Sequence, residues 1–300
     1  MELSKELYSY IFKETYGFDC TSLNEQNAYN IRNAIRILRR SYRTNNNFPT
    51  TDYSANDMRK AYMLAYYPYY FVPIYKVTEE YILPILSKVE NKRLNITFLA
   101  SGAGPEVYGL LTAIDEAGLN KKVQLNMLDY ERAWEIQRKT TFQLLNKSLV
   151  NLAILPISNV AGCDLQKSCG NSCSNSNNCT EKQLRSDIIV MENCLNHMYD
   201  EDNFINSMLF KFKSMKSGAL FVIMDLKDMH SLKLINKIID NSSKYMELIT
   251  PRPPQYLKEV SKVDTGIQIP DEVKHFIFNG DEDLIAKKNV SFIYTVLKRV

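Results

Sequence analysis

From residue 93 onward, short apolar runs alternate with amphipathic stretches of helical length. This alternation constrains the fold more than any other feature of the chain. The apolar runs are 94–100, 123–128, 152–157, 187–191 and 219–224, and the helical stretches are 106–117, 133–146, 202–213 and 231–241. Strands joined by helices of this length form βαβ units around a parallel sheet. The last run, VSFIYTVLKRV, is rich in β-branched and aromatic residues and predicts a closing strand.

Residues 1–92 read as helical instead. Ala28, Ile31, Ile35, Leu38 and Tyr42 recur at steps of three and four, which makes one helix face. Arg32, Arg36, Arg39, Arg40 and Arg43 lie on the opposite side. They read as a solvated face, with neutralisation of RNA phosphates as the functional alternative. Ser54 and Asp57 fit a capping box and predict a helix start there, with a stop before Pro68. A further helix is expected from Pro73, presenting Ile74, Val77, Tyr81 and Ile85 and kinked at Pro84. Tyrosines crowd residues 62–81 and read as part core, part roof over a ligand or stacked base. The expected organisation is a helical N-terminal lid or substrate domain, 1–92, ahead of an α/β domain, 93–300.

Charge and composition exclude several classes. Lys and Arg number 37 against 34 Asp and Glu, a net charge of +3, and 45% of residues are hydrophobic. That is neither a disordered chain nor a basic nucleic-acid tail. No run approaches the roughly 18 apolar residues needed to span a bilayer. The opening MELSKELYSYIFKE is charged throughout, unlike a signal peptide, so no membrane partner and a cytoplasmic location are expected. Cys163, Cys169, Cys173 and Cys179 fall in one polar stretch with five, three and five residues between them. Lacking a C-x-x-C knuckle, the stretch reads as a polar insertion, 163–181, with reduced thiols and no metal.

The segment ITFLASGAGPEVYGLL carries the most chemistry. A strand runs into Gly102-Ala103-Gly104 and a helix follows at once. Gly102 permits the sharp turn, Gly104 permits close approach of a ligand to backbone, and the helix N-terminus offers unpaired N–H groups. The second strand ends at Asp129, where such sheets place the carboxylate that takes ribose hydroxyls. Helix capping is the plainer role for Asp129. The third glycine of G-x-G-x-x-G is replaced by Val107, which argues against a pyrophosphate-bearing dinucleotide.

These residues, with DIIVMENCLNHM at the fourth strand, Gly218 before ALFVIMDL, and the closing VSFIYTVLKRV, resemble class I S-adenosylmethionine-dependent methyltransferases over about residues 93–300. The resemblance implies a Rossmann-like α/β fold: a seven-stranded, mostly parallel sheet with an antiparallel C-terminal strand. It implies S-adenosyl-L-methionine as cofactor, held by Ser101, Gly102, Ala103, Gly104, Asp129, Tyr130, Asn159 and Glu192. It implies transfer of a methyl group to a small molecule or RNA. Two positions depart from the family pattern: Ala100 stands where an acid is usual, and Glu106 where the third glycine is usual. A catalytically silent methyltransferase-like protein that binds RNA or a ribosome is the alternative, and an NAD-dependent oxidoreductase a more distant one. The segment 59–86 also bears a fainter likeness to ribosome-associated methyltransferase-like proteins.

Strand four ends in Glu192-Asn193-Cys194-Leu195-Asn196-His197, which should border the reacting methyl. Asn193, Asn196 and His197 are therefore the expected catalytic groups, His197 as a general base or as a helix-start residue. The [DN]-P-P-[FYW] clamp for exocyclic nitrogens in that family is absent.

Overall fold

The computed structural model describes residues 6–42, 51–161, 165, 184–258, 260–281 and 283–300. The four clustered cysteines and Arg43 lie outside the described residues. Among those described, no group of His, Cys, Asp and Glu side chains could hold a metal ion, and no helix is long and apolar enough to cross a membrane.

The chain forms an α/β sheet with strands β1 (Arg93–Leu99), β2 (Lys121–Asp129), β3 (Leu152–Ile154), β4 (Ser158–Ala161), β5 (Ile188–Glu192), β6 (Leu220–Leu226), β7 (Met246–Leu248), β8 (Ser261–Asp264) and β9 (Asn289–Arg299). Their order is β3-β2-β1-β5-β6-β9-β7. The expected third strand, 152–157, is paired only as far as Ile154, and an unforeseen short strand follows it: β3 pairs with Lys121–Val123 and β4 with Asn126–Asp129 of β2, both parallel. Pro156 sits between them and has no N–H to donate to a ladder. β9 runs antiparallel to β6 and carries β7 and β8 along its outer edge, also antiparallel. The sheet is thus seven positions wide, as expected, with two of them shared by pairs of short strands. The β7 and β8 segments were not anticipated from the sequence.

Both faces are buried, so the strands alternate between two apolar layers. Ile188 and Val190 point into one, Ile189 and Met191 into the other. Helices α8 (Glu201–Ser214) and α9 (Met229–Ser242) cover the second layer. The first is covered by α6 (Pro105–Glu116), α7 (Glu135–Ser148) and the N-terminal helices α1 (Glu6–Ile11), α2 (Glu25–Ser41), α3 (Asn56–Ala65) and α4 (Tyr67–Val77). A π-helical turn, Thr78–Ile82, continues α4 into α5 (Leu83–Leu86). A short α10 (Asp271–Phe276) precedes β9. α4 crosses α6 so closely that a Cβ on Gly109 would lie 2.2 Å from the carbonyl oxygen of Phe71.

Three local expectations are corrected. α3 starts at Asn56 with Ala55 as N-cap and no side-chain cap, because Ser54 is held by the Asp52 carboxylate in the preceding turn. Pro73 lies inside α4 instead of opening a helix. Nearly every residue of α4 is buried, and that packing overrides the cost of an internal proline. The arginine face of α2 is neither a simple solvated face nor an open phosphate surface. Arg32 donates to Phe276 O at 2.8 Å, Arg39 to Asp283 O and Ile285 O at 2.7 and 2.9 Å, and Arg40 to the Asp283 carboxylate at 3.0 Å. These guanidinium groups clamp the segment that leads into β9.

Candidate active site

β2 lies on one side of β1 and β5 on the other, with helices on opposite faces, so the order reverses between β1 and β5. Ligands in doubly wound sheets bind in the crevice beyond the carboxyl ends at this reversal. A cavity of about 650 Å³ opens there. Ala100 and Asn193, the residues that leave β1 and β5, both have φ near +53°. Left-handed backbone at a non-glycine residue is strained, and two such residues at one crevice mark a region held by its surroundings.

The glycine turn is built from three directions. Gly102 has φ +44° and donates its N–H to Asp129 Oδ2 at 2.7 Å, while Asp129 Oδ1 accepts from Glu131 N–H at 2.8 Å. Asp129 therefore fastens the turn instead of capping a helix, and Glu131 makes the cap by accepting from Ala133 N–H at 2.8 Å. From α7, Arg138 donates to Gly102 O at 2.9 Å and to Ser101 Oγ at 3.2 Å. Thr141 donates to Ala103 O at 2.7 Å and pairs with the Tyr67 hydroxyl of α4 at 2.9 Å. The Trp134 indole packs over Gly102, 3.6 Å from where a Cβ would stand. Gly104, at φ +83°, is the N-cap of α6, and a Cβ there would meet Met127 Cε at 2.9 Å.

Of the expected site residues, Ser101, Gly102, Asp129, Tyr130, Glu192, Asn193, Asn196 and His197 all line the cavity. Ala103 and Gly104 stand behind the turn and do not, and the Asn159 backbone pairs with Met127 in the parallel ladder of β2 and β4. His197 lies edge-on to Tyr42, ring centroids 6.1 Å apart, and burial lowers its pKa.

Glu106 and Asp225 were not foreseen as lining groups, nor were Tyr53 and Trp134. Glu106 is fully enclosed and its Oε1 has no hydrogen-bond partner; burial pushes its carboxyl up to about 8 against the pull of Arg138. Glu192 Oε2 is likewise unpartnered, and burial together with Glu106 and Asp225 raises its pKa well above the usual range. Asp225, near the end of β6, accepts from Leu195 N–H and Leu226 N–H, each at 2.7 Å, and burial raises it to about 7. Burial also raises Asp129, opposed by its backbone donors and Arg138. An acid at a strand's carboxyl tip was a readable signal for Asp225. Tyr42, Tyr53, Tyr62, Tyr70 and Trp134 form the opposite wall, with Tyr53 and Tyr62 centroids 5.0 and 5.5 Å from Trp134. Six carboxyl side chains line this cavity, and no described lining residue is lysine or arginine.

No family model matches the sequence. No curated protein matches it either. Among solved structures, the chain is similar to a Listeria monocytogenes protein assigned to the class I S-adenosylmethionine-dependent methyltransferases, at 9% identity and TM-score 0.50, covering 99% of this chain and 89% of that one. The N-methyltransferase NodS from Bradyrhizobium japonicum WM9, solved with S-adenosyl-L-homocysteine, aligns at 11% identity and TM-score 0.41 over 89% of this chain and 98% of that one. The pyocyanin biosynthetic protein PhzM aligns at 10% identity and TM-score 0.39, with 81% of this chain spanning 58% of its length. The chain has the Rossmann-like fold of the class I S-adenosylmethionine-dependent methyltransferases.

Proposed function

We propose that the protein binds S-adenosyl-L-methionine beside the glycine turn and transfers its methyl group to an acceptor in the same cavity. The observation that carries this reading is the acidic lining of the cavity: six carboxyl groups, two of the buried ones with unpartnered oxygens, and no lining lysine or arginine among the described residues. Buried carboxyl oxygens without partners are costly and suit a cationic ligand. S-adenosylmethionine carries a sulfonium, an ammonium and one carboxylate, a net positive charge, and no phosphate. A dinucleotide would bring two phosphates against these acids.

When bound, the cofactor supplies an electrophilic methyl group. The chain's own residues bind and orient it. The enclosed Glu106 and Glu192 are placed to take its cationic groups. Asp129 is available to ribose hydroxyls while fastening Gly102, and Trp134 covers the turn. Asn193, Asn196 and His197 border the acceptor side, as β5 ends there. Methyl transfer needs in-line placement more than a strong base, so a dry, shaped cavity can supply most of what is required. The internal use of Arg32, Arg39 and Arg40 counts against the RNA-scaffold alternative.

Incubation with methyl-labelled S-adenosylmethionine and a small-molecule extract tests the proposal. Label should appear in an acceptor with an equal amount of S-adenosylhomocysteine. Cofactor retention with no transfer to any acceptor would contradict it.

A further inference from the structure

Beyond the cofactor, the acceptor end of the cavity has its own chemistry. Tyr42, Tyr62, Tyr70, Glu192 and Asp225 all line the cavity, and the rings lie within electrostatic reach of its acids, Tyr42 and Tyr70 of Asp225 and Tyr62 of Glu192. Tyr62 packs against Tyr66 at 5.8 Å and Tyr70 at 6.3 Å, while Tyr42 lies 5.5 Å from Tyr66. Tyr42 is further fixed by hydrogen bonding to the Tyr53 hydroxyl. The rings are therefore pre-set faces.

We infer, on the basis of the function proposed above, that the methyl acceptor is a small molecule bearing an amine, held between this tyrosine wall and the Asp225 carboxyl. Aromatic faces and carboxylates both attract an ammonium, and together they recognise it better in a desolvated site than in water. A cation already rests on one ring of this wall from outside the cavity: Lys287 Nζ lies 5.2 Å from the Tyr70 ring and 4.6 Å from Tyr66 behind it. An acceptor bearing phosphate or carboxylate would face the acids with no lining lysine or arginine to meet it. A cavity of about 650 Å³ falls in the range of small-molecule sites, and cofactor and acceptor must share it.

The transfer balances simply. The ammonium yields its proton to the Asp225 carboxylate, which sits at the acceptor end with a pKa raised to about 7. The freed nitrogen lone pair forms the N–C bond to the methyl group. The C–S bond breaks with its electron pair on sulfur, leaving S-adenosylhomocysteine and an N-methylated amine.

Binding to the protein saturated with S-adenosylhomocysteine tests this without turnover. The probes are 2-phenylethylamine, histamine and putrescine, with 3-phenylpropionate and a single-stranded oligoribonucleotide as the anionic arms. At least one amine should bind about tenfold or more tightly than either anion. Asp225→Asn should weaken that amine about tenfold and leave S-adenosylhomocysteine affinity within about twofold. Asp225 also holds two backbone N–H groups, so Tyr42→Leu provides a second variant with the same expectation. Equal or tighter binding of 3-phenylpropionate or the oligoribonucleotide overturns the inference, and so does failure of all three amines to bind. Loss of S-adenosylhomocysteine binding by the wild-type protein would instead overturn the underlying function.

Discussion

The Gly102 N–H donates to Asp129 Oδ2 at 2.7 Å, joining the turn after β1 to the carboxyl tip of β2. One carboxylate thereby shapes the turn and faces the cavity. Asp129→Asn keeps an acceptor for one of its two N–H partners and turns an amide donor toward the other. The expected result is about tenfold or greater loss of S-adenosylmethionine affinity with a smaller loss of stability, about 1–3 kcal/mol. Titration calorimetry and thermal melting check the two effects separately.

Gly102 is held at φ +44°, where a side chain is strained whatever the space. Gly102→Val is expected to cost about 1–2 kcal/mol from the left-handed backbone and to abolish cofactor binding by blocking approach to the turn. Near-wild-type affinity in this variant would contradict the placement of the ligand.

Gly109→Ala probes packing instead of binding. Its Cβ would fall 2.2 Å from the Phe71 carbonyl oxygen and 2.6 Å from Ile74 Cγ2, and a backbone oxygen in a helix does not yield easily. Overpacking should destabilise by about 1–3 kcal/mol or more. A melting curve unchanged from wild type would show that α4 and α6 are not so tightly joined.

Glu106 gives a pH signature. Its native pKa is raised from 4.5 to about 8 by burial and by Asp129, with Arg138 opposing; Glu192, Tyr62 and Tyr67 interact with it as well. The native state therefore holds a proton that the unfolded chain releases. Its contribution to stability is full below about pH 4.5 and is lost as pH rises towards about 8. Glu106→Gln removes this dependence, so its melting temperature should gain on wild type as pH is raised from about 5 to about 9. Parallel profiles for the two proteins would show that the carboxyl is not buried neutral.

Much of this architecture was legible because hydrophobic pattern and turn chemistry agree. The runs that became β1, β2, β5, β6 and β9 needed only local reading, as did the sharp turn at Gly102, whereas the bond by which Asp129 fastens that turn was not read. What was missed depends on contacts far apart in sequence. α4 keeps Pro73 in its interior because its surroundings bury it on nearly every side. Arg32 and Arg39 reach residues more than 240 positions away, which no helix periodicity reveals. Glu106 read as a departure from a glycine pattern, whereas in three dimensions it is an enclosed acid aimed at the cavity. The Tyr42 and Tyr53 rings meet Trp134, Tyr62 and His197 only once the sheet and the N-terminal helices are packed together.

Calorimetry with S-adenosylmethionine, S-adenosylhomocysteine and NAD tests most directly whether a phosphate-free ligand occupies the glycine turn. Saturable binding of both methionine compounds with no heat from NAD is the predicted result. Tight binding of NAD with no response to either methionine compound would contradict it.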